Sequence, residues 1–295
     1  MLVALVLVVS LLAPGPVSSA PLQLPEPEAC EGCWFPAPVA RWQYQLQGMP
    51  EFKSTGGINV GIKARPFGGG RRVRPDVFDI DLYADSRITG NDDTINVAAV
   101  NAIHEAGARA VCYVNGGAWE DWRPDASDFP ASVKGKELDG WPGERWLDIR
   151  QHDVLLPIME ARVAKCDEGG FDAVEFDNVD GYTQDSGFQM SADEQLSYNV
   201  ALANLAHRYG LSVGLKNDVE QVPELVDYFD FSVNEQCTQY RECGQLRPFI
   251  EAGKAVFQVE YELPLDRVCP KANAAGRNTI KKDYDLFARP WKPCR

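Results

Sequence analysis

Histidine is scarce in this sequence, and the motifs of several common enzyme classes are missing. The chain has 295 residues and three histidines, His104, His152 and His207, none of which lies in a His-Glu-x-x-His pattern. It has no Gly-x-Ser-x-Gly motif, no glycine-rich dinucleotide fingerprint after the first predicted strand, and no Gly-Lys-Ser/Thr ending to the run Gly68–Gly70. These absences argue against a zinc peptidase, a serine hydrolase of the nucleophile-elbow type, and a nucleotide-binding enzyme. We expect no metal and no cofactor, although a site made of carboxylates alone stays open to Mg²⁺ or Ca²⁺.

Positive charge is also in short supply. Lysine and arginine number 29 against 43 aspartates and glutamates, which gives a formal net charge of −14. An acidic surface repels nucleic acid and anionic membranes and attracts cations. We therefore expect no nucleic-acid partner and favour a cationic substrate.

The apolar run at the N-terminus, Leu2–Leu12, is shorter than the roughly 20 residues that span a bilayer. Residues 1–20 are uncharged and end in small residues, with Ser18 and Ala20 resembling a cleavage pattern, although no Lys or Arg precedes the run. They are typical of a secretory signal peptide, with a membrane anchor or a buried strand as the alternative. We predict a proline-rich linker over 21–40. We expect a secreted monomer, extracellular or at the cell surface, without stable membrane association once the leader is removed.

The eight cysteines form an even set, as expected for an oxidising compartment. Cys237 and Cys243 bracket a short loop that a local disulfide could close. Cys112 lies in one predicted strand and Cys166 lies just before another, so the two can meet if those elements pack side by side. The pairing of the other four, Cys30, Cys33, Cys269 and Cys294, stays open. The Cys-x-x-Cys spacing at 30–33 favours a structural staple over a redox or zinc motif, because no second ligand pair follows.

From residue 41 onward, short apolar runs alternate with helical patterns, which predicts a single domain built as a (β/α)8 barrel. An open doubly wound sheet is the alternative. The predicted helices are Val97–Ala106, Val154–Lys165 and Ala192–Tyr209. Residues 54–75 are glycine-rich and basic, and we interpret them as a surface insertion rather than a mobile lid. The predicted strands are Trp42–Leu46, Val77–Tyr83, Arg109–Asn115, Phe171–Asn178, Leu211–Asn217, Phe229–Gln236, Ala255–Glu262 and Thr279–Lys282.

Polar residues gather at the carboxyl end of almost every predicted strand, where barrels of this type carry their active sites. A glycosidase needs one carboxylate as nucleophile or base and one carboxylic acid as proton donor. Asp177 and Glu235 each end an apolar strand, and we select them as this pair, with Asp180 and Glu260 as substitutes. The other predicted substrate contacts are Asp81, Tyr113, Asn115, Trp119, Asp121, Trp122, Asn178, Asp180, Lys216, Asn217 and Glu260.

Three of these residues carry two interpretations. Lys216 either forms ion pairs that keep Asp177 ionised or bonds to sugar hydroxyls, and the acidic surroundings favour ion pairs. Trp119 and Trp122 lie in a charged loop, so we interpret them as a binding platform for sugar rings or ammonium groups rather than as core residues.

The sequence resembles glycoside hydrolase family 114, the endo-α-1,4-polygalactosaminidases. The resemblance covers most of the chain beyond residue 40 and follows a series of motifs in order. These are WQYQL at 42–46, VFDIDLYAD at 77–85, VCYVNGGAWEDWRPD at 111–125, RWLDIR at 145–150, GFDAVEFDNVDGY at 170–182, GLKND at 214–218, NEQC at 234–237 and VFQVEYE at 256–262.

The resemblance implies a (β/α)8 barrel that cleaves α-1,4-linked galactosamine polymers internally, without a cofactor. It implies that Asp177 acts as the nucleophile and Glu235 as the acid/base. The implied substrate is a partly de-N-acetylated, cationic polysaccharide. The basic segment at 54–75 departs from the family pattern. A non-catalytic carbohydrate-binding barrel using the same acidic cleft is the alternative function.

Overall fold

Eight parallel strands form a sheet that curls into a barrel. The computed structural model describes residues 22–295, so the predicted leader lies outside the described residues. In chain order the strands are β1 (Trp42–Tyr44), β2 (Val77–Asp81), β3 (Arg109–Asn115), β4 (Ala118–Glu120), β5 (Lys134–Glu137), β6 (Glu144–Leu147), β7 (Ala173–Asp177), β8 (Ser212–Lys216), β9 (Phe231–Glu235), β10 (Ala255–Glu260), β11 (Asn278–Lys281) and β12 (Lys292–Pro293).

The main sheet runs β1-β2-β3-β7-β8-β9-β10-β11-β12. All pairs are parallel except the last, in which β12 runs antiparallel to β11. Each of the eight predicted strands is present in this sheet, and the predicted α/β barrel class is confirmed.

The two ends of the sheet are joined by side chains and by the C-terminal loop. The indole N–H of Trp42 in β1 donates to the carbonyl of Asn278 in β11 at 2.8 Å. Just beyond β1, the N–H of Leu46 donates to the carbonyl of Leu286 at 3.1 Å. Because all eight parallel strands point the same way, their carboxyl ends meet at one rim of the barrel.

The helices lie outside the strands and include all three that the sequence predicts. In order they are α1 (Ser86–Thr89), α2 (Val97–Glu105), α3 (His152–Glu168), α4 (Ala192–Arg208), α5 (Val222–Leu225), α6 (Cys237–Tyr240), α7 (Arg247–Glu251) and α8 (Leu265–Ala274). A capping box formed by Ser191 and Glu194 starts α4. Within residues 22–295 no helix is long and apolar enough to cross a membrane.

A second, three-stranded antiparallel sheet follows β3, in the order β4-β6-β5. The sequence analysis did not predict it, because its strands are three or four residues long and β5 reads Lys-Gly-Lys-Glu, without apolar alternation. Its β5–β6 turn carries Trp141 over the rim.

All eight cysteines are disulfide-bonded, which confirms the prediction of a disulfide-bonded protein. Cys112–Cys166 joins β3 to α3, and Cys237–Cys243 closes the loop around α6. The pairs that the sequence left open are Cys30–Cys33 and Cys269–Cys294.

The proline-rich segment is extended, yet it lies on the barrel rather than apart from it. The N–H of Glu28 donates to Asn204 at 2.8 Å, and the carbonyl of Pro25 accepts from the Tyr228 hydroxyl at 2.7 Å. In the basic segment 54–75, Ile58 and Ile62 are buried in the core. The N–H of Phe67 donates to Pro293, so this part of the segment is held beside β12.

Candidate active site

Asp177 ends β7 at the centre of the rim, with each carboxylate oxygen held by a donor. Its Oδ1 accepts from the Lys216 ammonium at 2.7 Å and from the Asn178 N–H at 2.8 Å, and its Oδ2 accepts from the Tyr113 hydroxyl at 2.6 Å. Burial raises the pKa of Asp177, but the Lys216 charge and these hydrogen bonds outweigh it and bring the pKa below its usual value. The carboxylate is therefore ionised at neutral pH.

Lys216, at the end of β8, also contacts the second acid of the predicted pair. Its Nζ lies 3.2 Å from Oε2 of Glu235, and the side chain is 3% exposed. Asp177 Oδ1 lies 2.7 Å and Glu235 Oε2 lies 3.2 Å from this one nitrogen. These two oxygens are therefore at most 5.9 Å apart. The hydroxyl of Tyr261 donates to the other oxygen of Glu235. Two acids from distant parts of the chain thus converge on one point.

The residue after each of these three strands adopts a left-handed backbone conformation. Asn178, Asn217 and Gln236 have φ of 59°, 50° and 60°. This region is sparsely populated by residues other than glycine, with asparagine among the more tolerant. The Asn217 side chain also accepts from the N–H of Glu235 at 2.9 Å. These sharp turns end the strands at the rim and fix the direction of the acidic side chains.

We call the space in front of Asp177 the first cavity, which has a volume of about 530 Å³. It is lined by the two acids and by several predicted contacts, namely Asp81, Tyr113, Trp122, Asn178, Lys216 and Asn217. Arg123 neutralises two acids on its wall, contacting Asp81 and Glu120 at 2.7 Å each. Glu144 receives a hydrogen bond from the Asn115 amide at 3.2 Å. Burial, with the nearby charges of Glu120 and Asp177, raises the pKa of Glu144 to about 8.

A second cavity of about 360 Å³ continues from the first. The two share Asn217, Glu235 and Gln236 in their walls, so Glu235 stands at the junction. Asp180 lines the second cavity, and burial, together with the charge of Asp177, raises its pKa to about 6. The rim is therefore a groove with space on both sides of Glu235.

Comparison with known proteins identifies the family. The sequence matches glycoside-hydrolase family GH114 over residues 25–294. The chain belongs to glycoside hydrolase family 114. It is therefore a glycoside hydrolase.

Solved structures agree with this assignment. Ega3 of Aspergillus fumigatus, solved in complex with galactosamine, is 30% identical with a TM-score of 0.73, over 90% of this chain and 98% of that one. The glycoside hydrolase domain of PelA from Pseudomonas aeruginosa is 14% identical with a TM-score of 0.58, over 85% and 97%. The α-galactosidase TtGalA of Thermus thermophilus is 12% identical with a TM-score of 0.53, over 86% and 59%. The last two likenesses concern the fold. A search of curated proteins finds no match.

Within this family 114 chain, the structure places Glu260 away from the groove. Its carboxylate accepts from the Thr238 N–H and the Gln258 amide, at 2.7 Å each, on the outer face of β10. Neighbouring residues of a strand point to opposite faces, so Tyr261 faces Glu235 instead. The prediction of Glu260 as a substrate contact and as a substitute acid does not fit this position.

Three further predicted contacts lie outside both cavities. The Trp119 indole donates to the Ala126 carbonyl at 2.9 Å, with Lys134 Nζ 4.0 Å from its ring, so it packs within the second sheet. Asn115 is buried and holds the backbone of Ala118 at 2.8 Å. Asp121 is exposed beside the β5–β6 turn. Asn115 therefore supports the site from below, and the other two lie beside it.

The sequence analysis predicted Tyr113 and Trp122 but missed three other aromatic side chains of the rim. Trp141 and Tyr284 are 51% and 47% exposed and line the first cavity with Trp122. Tyr261 stacks on Tyr284 at 4.5 Å. The turn residues around Trp141 could have indicated that side chain, and the alternation along β10 could have indicated Tyr261.

Beneath the site, the barrel interior holds a buried pair of acids, Asp79 and Glu175. The Tyr44 hydroxyl donates to Glu175 at 3.3 Å. Burial and the neighbouring Glu175 raise the pKa of Asp79 well above its usual range. The pair therefore retains a proton at neutral pH, which limits the negative charge below Asp177.

Proposed function

We propose that this enzyme is a secreted endo-glycosidase that hydrolyses α-1,4-linked, galactosamine-rich polysaccharide by a retaining, two-carboxylate mechanism. The observation that carries the proposal is the convergence of Asp177 and Glu235 on the Lys216 ammonium. Retaining glycosidases hold their two carboxyl groups about 5–5.5 Å apart and inverting ones about 6.5–9.5 Å. The upper limit of 5.9 Å between the two nearest oxygens supports the retaining arrangement.

In this mechanism Asp177 attacks the anomeric carbon while Glu235 protonates the departing oxygen. The bond from the anomeric carbon to the leaving sugar breaks as the bond to Asp177 forms. Water then attacks the glycosyl-enzyme, with Glu235 taking its proton, and releases Asp177. Lys216 and Tyr113 keep Asp177 ionised for the attack, and Tyr261 orients Glu235.

A cationic amino-sugar polymer suits the groove for two reasons. Carboxylates outnumber lysine and arginine in its lining, in a protein whose formal net charge is −14. Exposed aromatic rings at Trp122, Trp141 and Tyr284 offer faces to sugar rings and ammonium groups. The solved complex of Ega3 with galactosamine, at 30% identity, supports the same choice. Space on both sides of Glu235 favours cleavage within a chain.

Secretion is supported by the predicted leader and by four disulfides, which persist in oxidising compartments. We propose an extracellular or cell-surface enzyme that acts as a monomer.

The test is Glu235→Gln, assayed with de-N-acetylated α-1,4-galactosamine polymer. We expect release of reducing ends to fall at least about a thousandfold, because the amide cannot donate or accept the catalytic proton, while polymer binding persists. Glu224→Gln, an exposed acid on α5, is the matched control and should retain full activity. Turnover by Glu235→Gln at the wild-type rate would refute the role, and binding without any product in the wild type would favour the carbohydrate-binding alternative.

A further inference from the structure

Apart from the shared Glu235, the acids that line the second cavity are not paired with any side-chain cation. Besides the shared Glu235, its acids are Asp180, Asp218, Glu220 and Glu242, and neither lysine nor arginine lines it. Across the described part of the chain, none of these four acids forms a salt bridge. A cation from outside is therefore the partner that this cavity lacks.

The first cavity differs in this respect. Arg123 contacts both Asp81 and Glu120, and Lys216 contacts both Asp177 and Glu235. Glu144 alone has no cation within salt-bridge distance, and there the Asn115 amide is its donor. The acids that lack a cationic partner therefore lie mainly on one side of Glu235, in the second cavity, where a positive group of the substrate could pair with them.

Asp218 has one carboxylate oxygen that lacks a partner. The residue is 4% exposed, its Oδ2 accepts from the Asn199 amide at 2.8 Å, and its Oδ1 has no hydrogen-bond partner. The nearby Tyr182 hydroxyl donates to Glu220 at 3.3 Å and also acts to lower the pKa of Asp218. Burial and the charge of Asp180 raise the pKa of Asp218 to about 8. In the free enzyme Asp218 is therefore protonated at neutral pH, and an ammonium group would displace this proton by supplying both a donor and a compensating charge.

The position of the two acids assigns the cavities to the two sugars at the cleaved bond. Asp177 lines the first cavity and is absent from the walls of the second, so the sugar that it attacks lies in the first. Glu235 lines both and protonates the oxygen between the two sugars. The leaving sugar therefore extends into the second cavity.

Resting on the proposed function, we propose that the second cavity recognises the free ammonium group of the leaving-group sugar through Asp218 and Asp180. The first cavity, with its acids largely neutralised, accepts a sugar whose amine is either free or acetylated. Cleavage would then require a free amine on one side of the bond and tolerate acetylation on the other.

The experiment uses α-1,4-galactosamine oligomers that are chemically N-acetylated at about half of their amines. The products are sequenced by mass spectrometry after isotopic labelling of their reducing ends. We expect new non-reducing ends to carry a free amine roughly ten times more often than an acetylated one. New reducing ends should follow the composition of the substrate.

Asp218→Asn should bring the non-reducing ends close to the substrate composition, because the amide cannot ionise to pair with an ammonium. Asp180→Asn is a second variant with the same expected direction, and Asp227→Asn, an exposed acid outside both cavities, should behave as the wild type. Circular dichroism checks that each variant is folded.

Three results would overturn the proposal. Enrichment of free amines at the reducing ends would place the recognition in the other cavity. Retention of the wild-type pattern by both folded variants would remove Asp218 and Asp180 from the role. Failure to cleave even fully de-N-acetylated oligomers would overturn the proposed function together with this inference, and so differs from cleavage without the expected pattern.

Discussion

Replacing Lys216 with methionine removes the charge shared by the two acids while keeping much of the side-chain volume. The ammonium lies 2.7 Å from Asp177 and 3.2 Å from Glu235 and is 3% exposed. At an effective dielectric constant of about 20, attraction at such distances amounts to roughly 5–6 kcal/mol per pair, much of which the cost of burying the ions offsets. Removing one partner of a buried ion pair typically costs about 3–5 kcal/mol of stability.

The sharper consequence concerns protonation. Lys216 is the main group that holds the pKa of Asp177 below its usual value against the effect of burial. Without it the pKa rises, so Asp177 becomes protonated at a higher pH and can no longer attack. In the profile of kcat/KM against pH, the acidic limb should move to higher pH. The loss of activity should be greatest at acidic pH, roughly a hundredfold or more, and smaller at neutral pH.

The assay is reducing-end release from galactosamine oligomers between pH 4 and 8, with folding checked at each pH. Lys216→Arg keeps the charge but not the shape of the ammonium, so its acidic limb should stay close to that of the wild type. An acidic limb unchanged in Lys216→Met, with activity lowered by the same factor at every pH, would refute the reasoning. Lys216 would then act through sugar contact instead.

Two further predictions concern other parts of the barrel. Tyr261→Phe removes the donor to Glu235 and should lower kcat about ten- to a hundredfold with little change in KM, whereas an effect on KM alone would contradict an orienting role. Burial lowers the pKa of Lys282 from its ordinary value of 10.5 to about 7, with the charge of Asp283 partly opposing the shift. Between pH 7 and 10 this lysine is protonated in the unfolded chain and neutral in the folded one. The free energy of unfolding therefore rises with pH, by about 5 kcal/mol over the full range of the shift. Lys282→Met should flatten that rise in urea unfolding at pH 7–10, and an unchanged slope would count against it.

Most of the barrel could be predicted from sequence because its strands are apolar runs of the usual length, separated by clear helical periodicity. The three short strands β4–β6 were not predicted, because sheets of that size are specified by tertiary contacts rather than by the pattern of apolar residues in the sequence. Polar clustering at strand ends indicated the rim. Clustering alone does not show which of two adjacent residues faces inward. For this reason the sequence analysis selects Glu260, whereas in the structure its neighbour Tyr261 contacts Glu235. That choice depends on the register of β10 against β9, in which Val259 lies beside Glu235.

The partners of the acids were harder to foresee than the acids themselves. Lys216 was expected to pair with Asp177, but its simultaneous contact with Glu235 depends on the curvature that brings β7, β8 and β9 around one point. The two oxygens of Asp218 likewise differ because of packing, since the Asn199 amide donates from α4 to Oδ2 and leaves Oδ1 without a partner.

The extended N-terminal segment has a practical consequence for anyone who prepares this enzyme. A recombinant version that starts at the first strand would remove Glu28, whose backbone bonds to both Asn204 and His207 on the outer side of α4. Those two polar groups, together with the hydroxyl of Tyr228, would have to find water in place of protein. The folding unit therefore starts well ahead of Trp42. A shortened version would expose the surface around α4 and Tyr228 that the N-terminal segment covers.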